Sequence, residues 1–465
     1  MVSRSRGGCL ECRRSRIKCD EARPGCGTCS RRARDCPGYA GKDARTRTSE
    51  TVRRRSTSTP PVQPTTQLSA DLLVRRLAFL PEVGDIDHDD RLALQCYFQN
   101  HLRRVGLGEE FVNDGNRKVV TLLQQYPETL GDVIVAIGHT LVARSSGTSV
   151  VPALTRKSRA LARLRNSQTT NMDIEPQLLL ILCIGALELI DISFIPPISA
   201  IPVLLSCASH AVAAHVAAST PLSPTAKYFL RALARQDILL GLTYGRKNVL
   251  STSLWFHSSH DGDIDRFLGL TMSLMPLLEE LCGLAEKIKT VRNAKESDKA
   301  LQEPLQDLYC RISAWHPSMH KRPSFLNTRK YLCQAHAFRA AALLYLHRLC
   351  HPPGSCHDAN SAAVNLAYDV LLFCYDSPGA PDSLHADVRM LHWPLFVAGC
   401  EMKTDVDRQL VLDLLRQNYH QRGTYTPLKT IDFLVEHLWP VVDAGSGNVN
   451  WMELVVQFSS DFAPL

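Results

Sequence analysis

Six of the sixteen cysteines fall between positions 9 and 36, spaced Cys9-x2-Cys12-x6-Cys19-x6-Cys26-x2-Cys29-x6-Cys36. Thiolates are metal ligands, and C-x2-C sets two of them on one side of a tight turn. The pattern is an internal repeat, C-x2-C-x6-C twice, with six residues between the halves. The six residues after each C-x2-C read as about one and a half helical turns that bring back the third thiolate. Three thiolates cannot complete a tetrahedral zinc site. Two Zn2+ ions each reach four ligands if one sulfur from each half bridges, and the repeat symmetry allows Cys9 and Cys26 as the bridges. One ion would then take Cys9, Cys12, Cys19 and Cys26, the other Cys9, Cys26, Cys29 and Cys36. So short a segment carries too little apolar surface to fold alone, so metal binding should drive its folding.

Cations surround these cysteines. The first half contains Arg13, Arg14, Arg16 and Lys18 between Cys12 and Cys19; the second contains Arg31, Arg32 and Arg34 between Cys29 and Cys36. Residues 1–55 hold 16 of the 53 Lys and Arg but 6 of the 46 Asp and Glu, leaving 37 basic and 40 acidic residues beyond them. The formal net charge of +7 is therefore a +10 arm on a body of −3. Such an arm points to a polyanionic partner or a nuclear import signal. A zinc-tied helix rich in arginine offers phosphate contacts and bidentate contacts to guanine O6 and N7. Six thiolates and two Zn2+ sum to −2, so the same cations also offset the cluster's own charge.

Residues 9–36 resemble the fungal Zn2Cys6 binuclear cluster, a DNA-binding module, with all six cysteines in its pattern. Cys19-Asp20-Glu21-Ala22-Arg23-Pro24 and Cys36-Pro37-Gly38-Tyr39 are also similar to family sequence, Pro24 falling in the loop between the halves. The resemblance implies the same bridging by Cys9 and Cys26. It implies that the helix after Cys12 enters the major groove of double-stranded DNA and reads a G/C-rich triplet, typically CGG. The readers would stand at Ser15 and Arg16. Ser15 departs from the commoner basic residue, while Arg13, Arg14 and Lys18 suit phosphates, which position without specifying.

The elements that carry this arm come next. Residues 1–40 form the cluster domain. Residues 41–68 are rich in Arg, Ser, Thr and Pro, include Arg53-Arg54-Arg55, and read as a basic linker that cannot bury a core. Apolar residues recur at helical spacing through 69–465, starting with Leu72, Leu73 and Leu77 after a Ser69 cap and stopping at Pro81. Further helical patterns run near Asp89–Val105, Asn116–Tyr126, Asp132–Ala143, Pro152–Arg165, Gln177–Ile190, Val203–Ala217 and Thr225–Leu242. Others follow near Asp263–Thr290, Leu301–Trp315, Thr328–Cys350, Ala359–Tyr375, Ser383–Cys400 and Arg408–Tyr419. Clear alternating strands are scarce, so the fold class is a small metal cluster followed by a large all-α regulatory domain. No heptad is sustained next to the linker, which favours a monomer or weak homodimer. Three stretches resemble the fungal-specific transcription factor domain in its second variant: Ala341–Leu349, Arg231–Gly241 and Trp393–Glu401.

Met1-Val-Ser-Arg-Ser-Arg has no apolar leader, and the apolar run Leu178–Leu205 is broken by Glu188, Asp191 and Pro196-Pro197, which argues for a core helix and no membrane partner. The chain has no GxGxxG, P-loop, HExxH or GxSxG, so an enzyme is not expected. Cys350-His351-Pro-Pro-Gly-Ser-Cys356-His357 fits no standard zinc spacing. The expected function is a nuclear, zinc-dependent, sequence-specific regulator of RNA polymerase II genes, pathway-specific in role and working with transcription machinery or co-regulators. The alternative is a zinc-binding interaction or redox-sensing protein that does not read DNA.

Overall fold

The computed structural model describes residues 9–15, 17–22, 26–32, 36, 88–108, 111–167, 172–190, 200–256, 263–295, 297–320, 325–375, 387–445, 449–458 and 464. The expected linker at 41–68 and the helix at 69–81 lie outside them. The chain divides into two compact units, 1–66 and 67–465. The first holds α1 (Leu10–Arg14) and α2 (Gly27–Ser30).

The second unit is helical among its described residues, with no strand beyond one isolated bridge between Asp265 and Gly269. Helix α3 (His88–Cys96) continues through a π-helical turn (Tyr97–His101) into Leu102–Arg104. Then come α4 (Val112–Gln125), α5 (Pro127–Ser146), α6 (Val151–Ser167), α7 (Ile174–Ile190), α8 (Ala200–Ala217) and α9 (Pro224–Tyr244). The remainder are α10 (Met275–Asn293), α11 (Lys299–Ala314), α12 (Phe325–Cys350), α13 (His357–Tyr375), α14 (His392–Gly399) and α15 (Asp405–Arg422). Last, α16 (Thr426–Asp432) runs through a second π-helical stretch (Phe433–Leu438) into Trp439–Asp443, and α17 is Trp451–Gln457.

Local signals explain the boundaries. Ser223 caps α9, its hydroxyl accepting from the Ala226 N–H at 3.0 Å, with Pro224 in the first turn and Gly245 left-handed at the far end. Helix α15 repeats the device with Thr404 and Gly423. The helix expected from Asp263 begins instead at Met275. Gly269 has φ of +59°, and the Asp265 carboxylate accepts from the Phe267 and Leu268 N–H groups, so the chain turns before Pro276 opens α10.

Two helices buried on nearly all sides organise the core. Helix α7 buries Leu178, Leu179, Leu180, Ile181 and Ile184 among others and packs on α5, α6, α8 and α9. Its Glu188 is paired with Lys157 of α6 at 3.0 Å, which is how a carboxylate sits in this apolar run. Helix α8 is long and apolar enough to cross a membrane by length and composition; in this structure it packs against α7 and α9, with Val203 and Val216 exposed. Helix α14 is the second core element, every residue buried between α12, α13 and α15. Gly399 at its end lets neighbours close in, since a Cβ there would stand 3.0 Å from Leu434 and Val411.

Buried charge ties this half together. Arg348 of α12 donates from Nε and Nη2 to the two carboxylate oxygens of Glu401 at 2.7 and 2.6 Å, both side chains being under 5% exposed. The Trp451 indole N–H donates to Glu401 Oε1 at 2.9 Å, and Arg348 Nη1 reaches Asn360 Oδ1 at 2.8 Å. Glu401 closes one of the stretches singled out in the sequence and Arg348 lies in another, 53 residues away.

Candidate metal centre and nucleic-acid interface

The sulfurs of residues 9–36 converge. The Sγ atoms of Cys9, Cys12, Cys19 and Cys26 lie within 4.8 Å of one another, and so do those of Cys9, Cys26, Cys29 and Cys36. The two quartets share Cys9 and Cys26, whose sulfurs are 3.6 Å apart. Four ligands at the usual Zn–S length of about 2.3 Å stand about 3.8 Å from each other around a tetrahedron. Sulfur pairs within the quartets, Cys9–Cys26, Cys9–Cys29 and Cys12–Cys26 at 3.6 to 3.7 Å, are near that spacing and far beyond a disulfide bond. None of the sixteen cysteines is joined in a disulfide.

The backbone repeats with the sequence. Cys12 N–H donates to Cys9 Sγ at 3.4 Å, as Cys29 N–H does to Cys26 Sγ at 3.3 Å. Cys9 N–H donates to Cys19 Sγ at 3.4 Å, as Cys26 N–H does to Cys36 Sγ at 3.3 Å. Each relation maps onto its twin by a shift of 17 residues, an approximate two-fold through the shared sulfurs. Both shared sulfurs thereby occupy the N-terminal caps of the short helices α1 and α2. N–H groups aimed at sulfur favour thiolate, whereas burial opposes it. Burial pushes the Cys12 thiol up to about 12 and raises those of Cys26 and Cys29. A donor set of six sulfurs, five on buried cysteines with under 4% exposure and Cys36 partly buried, therefore fits a group that supplies positive charge, and Zn2+ does so. The protein's cofactor is zinc, held by this cysteine cluster.

The helices differ from the sequence expectation in extent. Helix α1 starts between the first two cysteines and ends at Arg14, instead of filling the six residues before Cys19. Cys9 Sγ starts it early, and the Ile17 N–H closes back on the Cys12 carbonyl at 3.0 Å with Ile17 packed against the sulfurs. Arg13 and Arg14 lie on α1; Arg16 falls outside the described residues. Lys18 is exposed. Ser15 is half-buried, its hydroxyl donating to Glu11 Oε1 at 3.0 Å, a pairing one helical turn apart that the sequence reading missed. In the second half, Arg31 and Arg32 are exposed and Arg31 stands 3.6 Å from Asp20, an exposed pair that contributes little to stability.

Among the described residues, the cysteine quartets are the groupings able to hold a metal; Cys350, His351, Cys356 and His357 form none. The Cys356 thiol instead accepts from the Ala359 N–H at 3.4 Å, at the start of α13. Among the body cysteines, Cys183 is buried and Cys207 partly so, each against apolar neighbours.

Residues 7–46 match the family model of the fungal Zn(2)-Cys(6) binuclear cluster domain, and residues 117–463 that of the fungal specific transcription factor domain. Over 41 residues the chain is 51% identical to the transcriptional regulatory protein moc3 of Schizosaccharomyces pombe, covering 9% of this chain and 8% of that protein. Over 36 residues it is 56% identical to white-opaque regulator 2 of Candida albicans, covering 8% of each. The same identity over 36 residues relates it to the aspercryptin biosynthesis cluster-specific transcription regulator atnN of Emericella nidulans, covering 8% of this chain and 6% of that one. The chain thus spans less than a tenth of the length of each of these relatives. No solved structure matches it.

Proposed function

The chain belongs to the fungal transcription-factor family that carries a Zn(2)-Cys(6) cluster and a fungal specific transcription factor domain, and from that premise we propose that it is a nuclear, sequence-specific DNA-binding regulator of RNA polymerase II genes. The observation that carries this reading is the pair of sulfur quartets sharing Cys9 and Cys26. Those two cysteines would bridge the ions, Cys12 and Cys19 completing one site and Cys29 and Cys36 the other. Zinc, when bound, ties both ends of each half and fixes the basic segment after Cys12.

Arg13, Arg14 and Lys18 then hold phosphates, and Arg16 makes the bidentate guanine contact. Ser15, hydrogen-bonded to Glu11, is a weak candidate for reading a base. The site is a G/C-rich, CGG-like triplet with relaxed preference at the base facing Ser15. The helical body serves regulation, meeting transcription machinery or co-regulators, and the chain binds as a monomer or weak dimer. No catalytic role is assigned. The name of the Emericella relative supports a pathway-specific role, in a biosynthetic gene cluster.

Selection of duplexes from a random pool by the zinc-loaded chain tests this directly. A G/C-rich triplet should emerge, and affinity should fall with salt at a slope of roughly −3 in log–log form for three to four phosphate contacts. Arg16→Ala should cost about 1–3 kcal/mol on the selected site and flatten its sequence preference. Equal weak binding to every duplex would favour the zinc-store or redox-sensing alternative.

A further inference from the structure

We propose that the helical body binds a small carboxylic acid with an apolar body, in a cavity between α3, α7 and α9 anchored by Arg235. The cavity measures about 80 Å3, several times what one buried water requires. Its walls are mostly apolar, with Val119, Leu179, Leu182, Phe229 and Ala232 among them. Two guanidinium groups, those of Arg235 and Arg422, line it; among the described lining residues there is no carboxylate.

Arg235 is the unusual member. It is 4% exposed, yet its contacts are a single long hydrogen bond, from Nη2 to the Met390 carbonyl oxygen at 3.4 Å, and the face of Phe338. Other buried arginines of the body are better served. Arg348 has both oxygens of Glu401, and Arg408 has both oxygens of Asp443 at 2.6 and 2.7 Å. A buried cation with five N–H donors and one weak acceptor is costly, and a carboxylate is the group whose geometry matches that fork. Burial lowers the Arg235 pKa to about 9, and the charge of Arg422 adds to the effect.

The remaining polar groups suit the same ligand. His101 is held neutral, its pKa pushed down to about 3 by burial and by Arg266 and Arg104, so it offers a hydrogen bond without a third charge. It stands on the π-helical turn of α3, stacked on Tyr97 at 5.1 Å, and both residues line the cavity. Such turns displace side chains from the regular helical register and recur at ligand sites. Thr424 and Gln236 add further hydrogen-bonding groups at the wall.

The test needs no DNA, so its result is independent of the reading of the cysteine cluster. Benzoate and benzamide, alike in shape and different in charge, are titrated into the zinc-loaded full chain by calorimetry. Benzoate should bind saturably and benzamide at least about tenfold more weakly. Arg235→Met should weaken benzoate by about tenfold or more while melting no lower than the parent, because it removes an uncompensated buried charge. Ala232→Phe, which fills the cavity and keeps Arg235, should abolish binding of both probes. Equal affinity for the two probes, no benzoate binding at about 10 mM, or undiminished binding in both variants would overturn the proposal.

Discussion

Replacing Glu401 by leucine should destabilise the body by about 4 kcal/mol. The carboxylate accepts three hydrogen bonds, two from Arg348 and one from the Trp451 indole, in a site where both charged side chains are under 5% exposed. Taking away one partner of a buried pair leaves the other charge uncompensated, at a cost of about 3–5 kcal/mol. The orphaned indole N–H adds about 1 kcal/mol, and Arg348 keeps some compensation from Asn360 Oδ1 at 2.8 Å and the His351 carbonyl at 3.3 Å. The double variant Arg348→Met/Glu401→Leu removes both charges and should return to within about 2 kcal/mol of the parent. The assay is urea unfolding followed by tryptophan fluorescence, with Trp393 and Trp451 both in this core. A loss below about 1 kcal/mol in Glu401→Leu, or strictly additive losses in the double variant, would refute the reasoning.

Zinc content should read the sharing of sulfurs: the parent should carry two ions per chain, Cys9→Ala should lose both, and Cys12→Ala should retain more than Cys9→Ala, as measured by metal release to a colorimetric chelator. Asp387 should confer pH-dependent stability. Burial alone would raise its pKa, but hydrogen bonding and charge from Arg389, with Lys330 beside it, bring it from 3.8 down to about 2. A depressed carboxylate stabilises above its unfolded pKa and loses that contribution as pH falls towards the folded one. Asp387→Asn should thus cost about 2 kcal/mol from pH 7 to pH 5, the gap narrowing below about pH 4, in urea midpoints taken across that range. Gly138→Ala should lower stability by about 3 kcal/mol in the same assay. Its Cβ would collide with the Ala93 backbone, standing 2.9 Å from the Ala93 Cα even before the closer carbonyl is counted, where α5 crosses α3.

The metal centre was legible because its information is local. Two copies of C-x2-C-x6-C specify both the ligand count and the repeat, and 17-residue symmetry appears in the backbone hydrogen bonds as it does in the spacing. What the spacing did not contain was the extent of α1, which depends on a sulfur acting as a cap. The all-α body was legible in outline from apolar periodicity. Its last helices were not, because Pro427, Pro440 and a π-helical stretch at Phe433–Leu438 shift the period that marks a helix. Glu401 was visible as an acid at the end of an apolar stretch. Its partner lies 53 residues earlier, and no local pattern links a carboxylate to an arginine at that separation. The Arg235 cavity was hidden for a like reason, since its walls come from α3, α4, α7, α9 and the end of α15.

The junction at Glu401 also bears on how the protein is made. Its ligands emerge from the ribosome in order: Arg348, then Glu401 itself, and Trp451 last. The cysteine repeat, complete by residue 36, can take up metal and fold while most of the chain is still unsynthesised. The body cannot close its second half until α17 arrives to cover the buried pair. A ribosome that stops before Trp451 therefore releases a protein whose metal cluster is finished and whose regulatory half exposes a charged seam. Such truncated chains should be preferentially removed by proteolysis, so that only fully translated copies persist with their cluster and body intact.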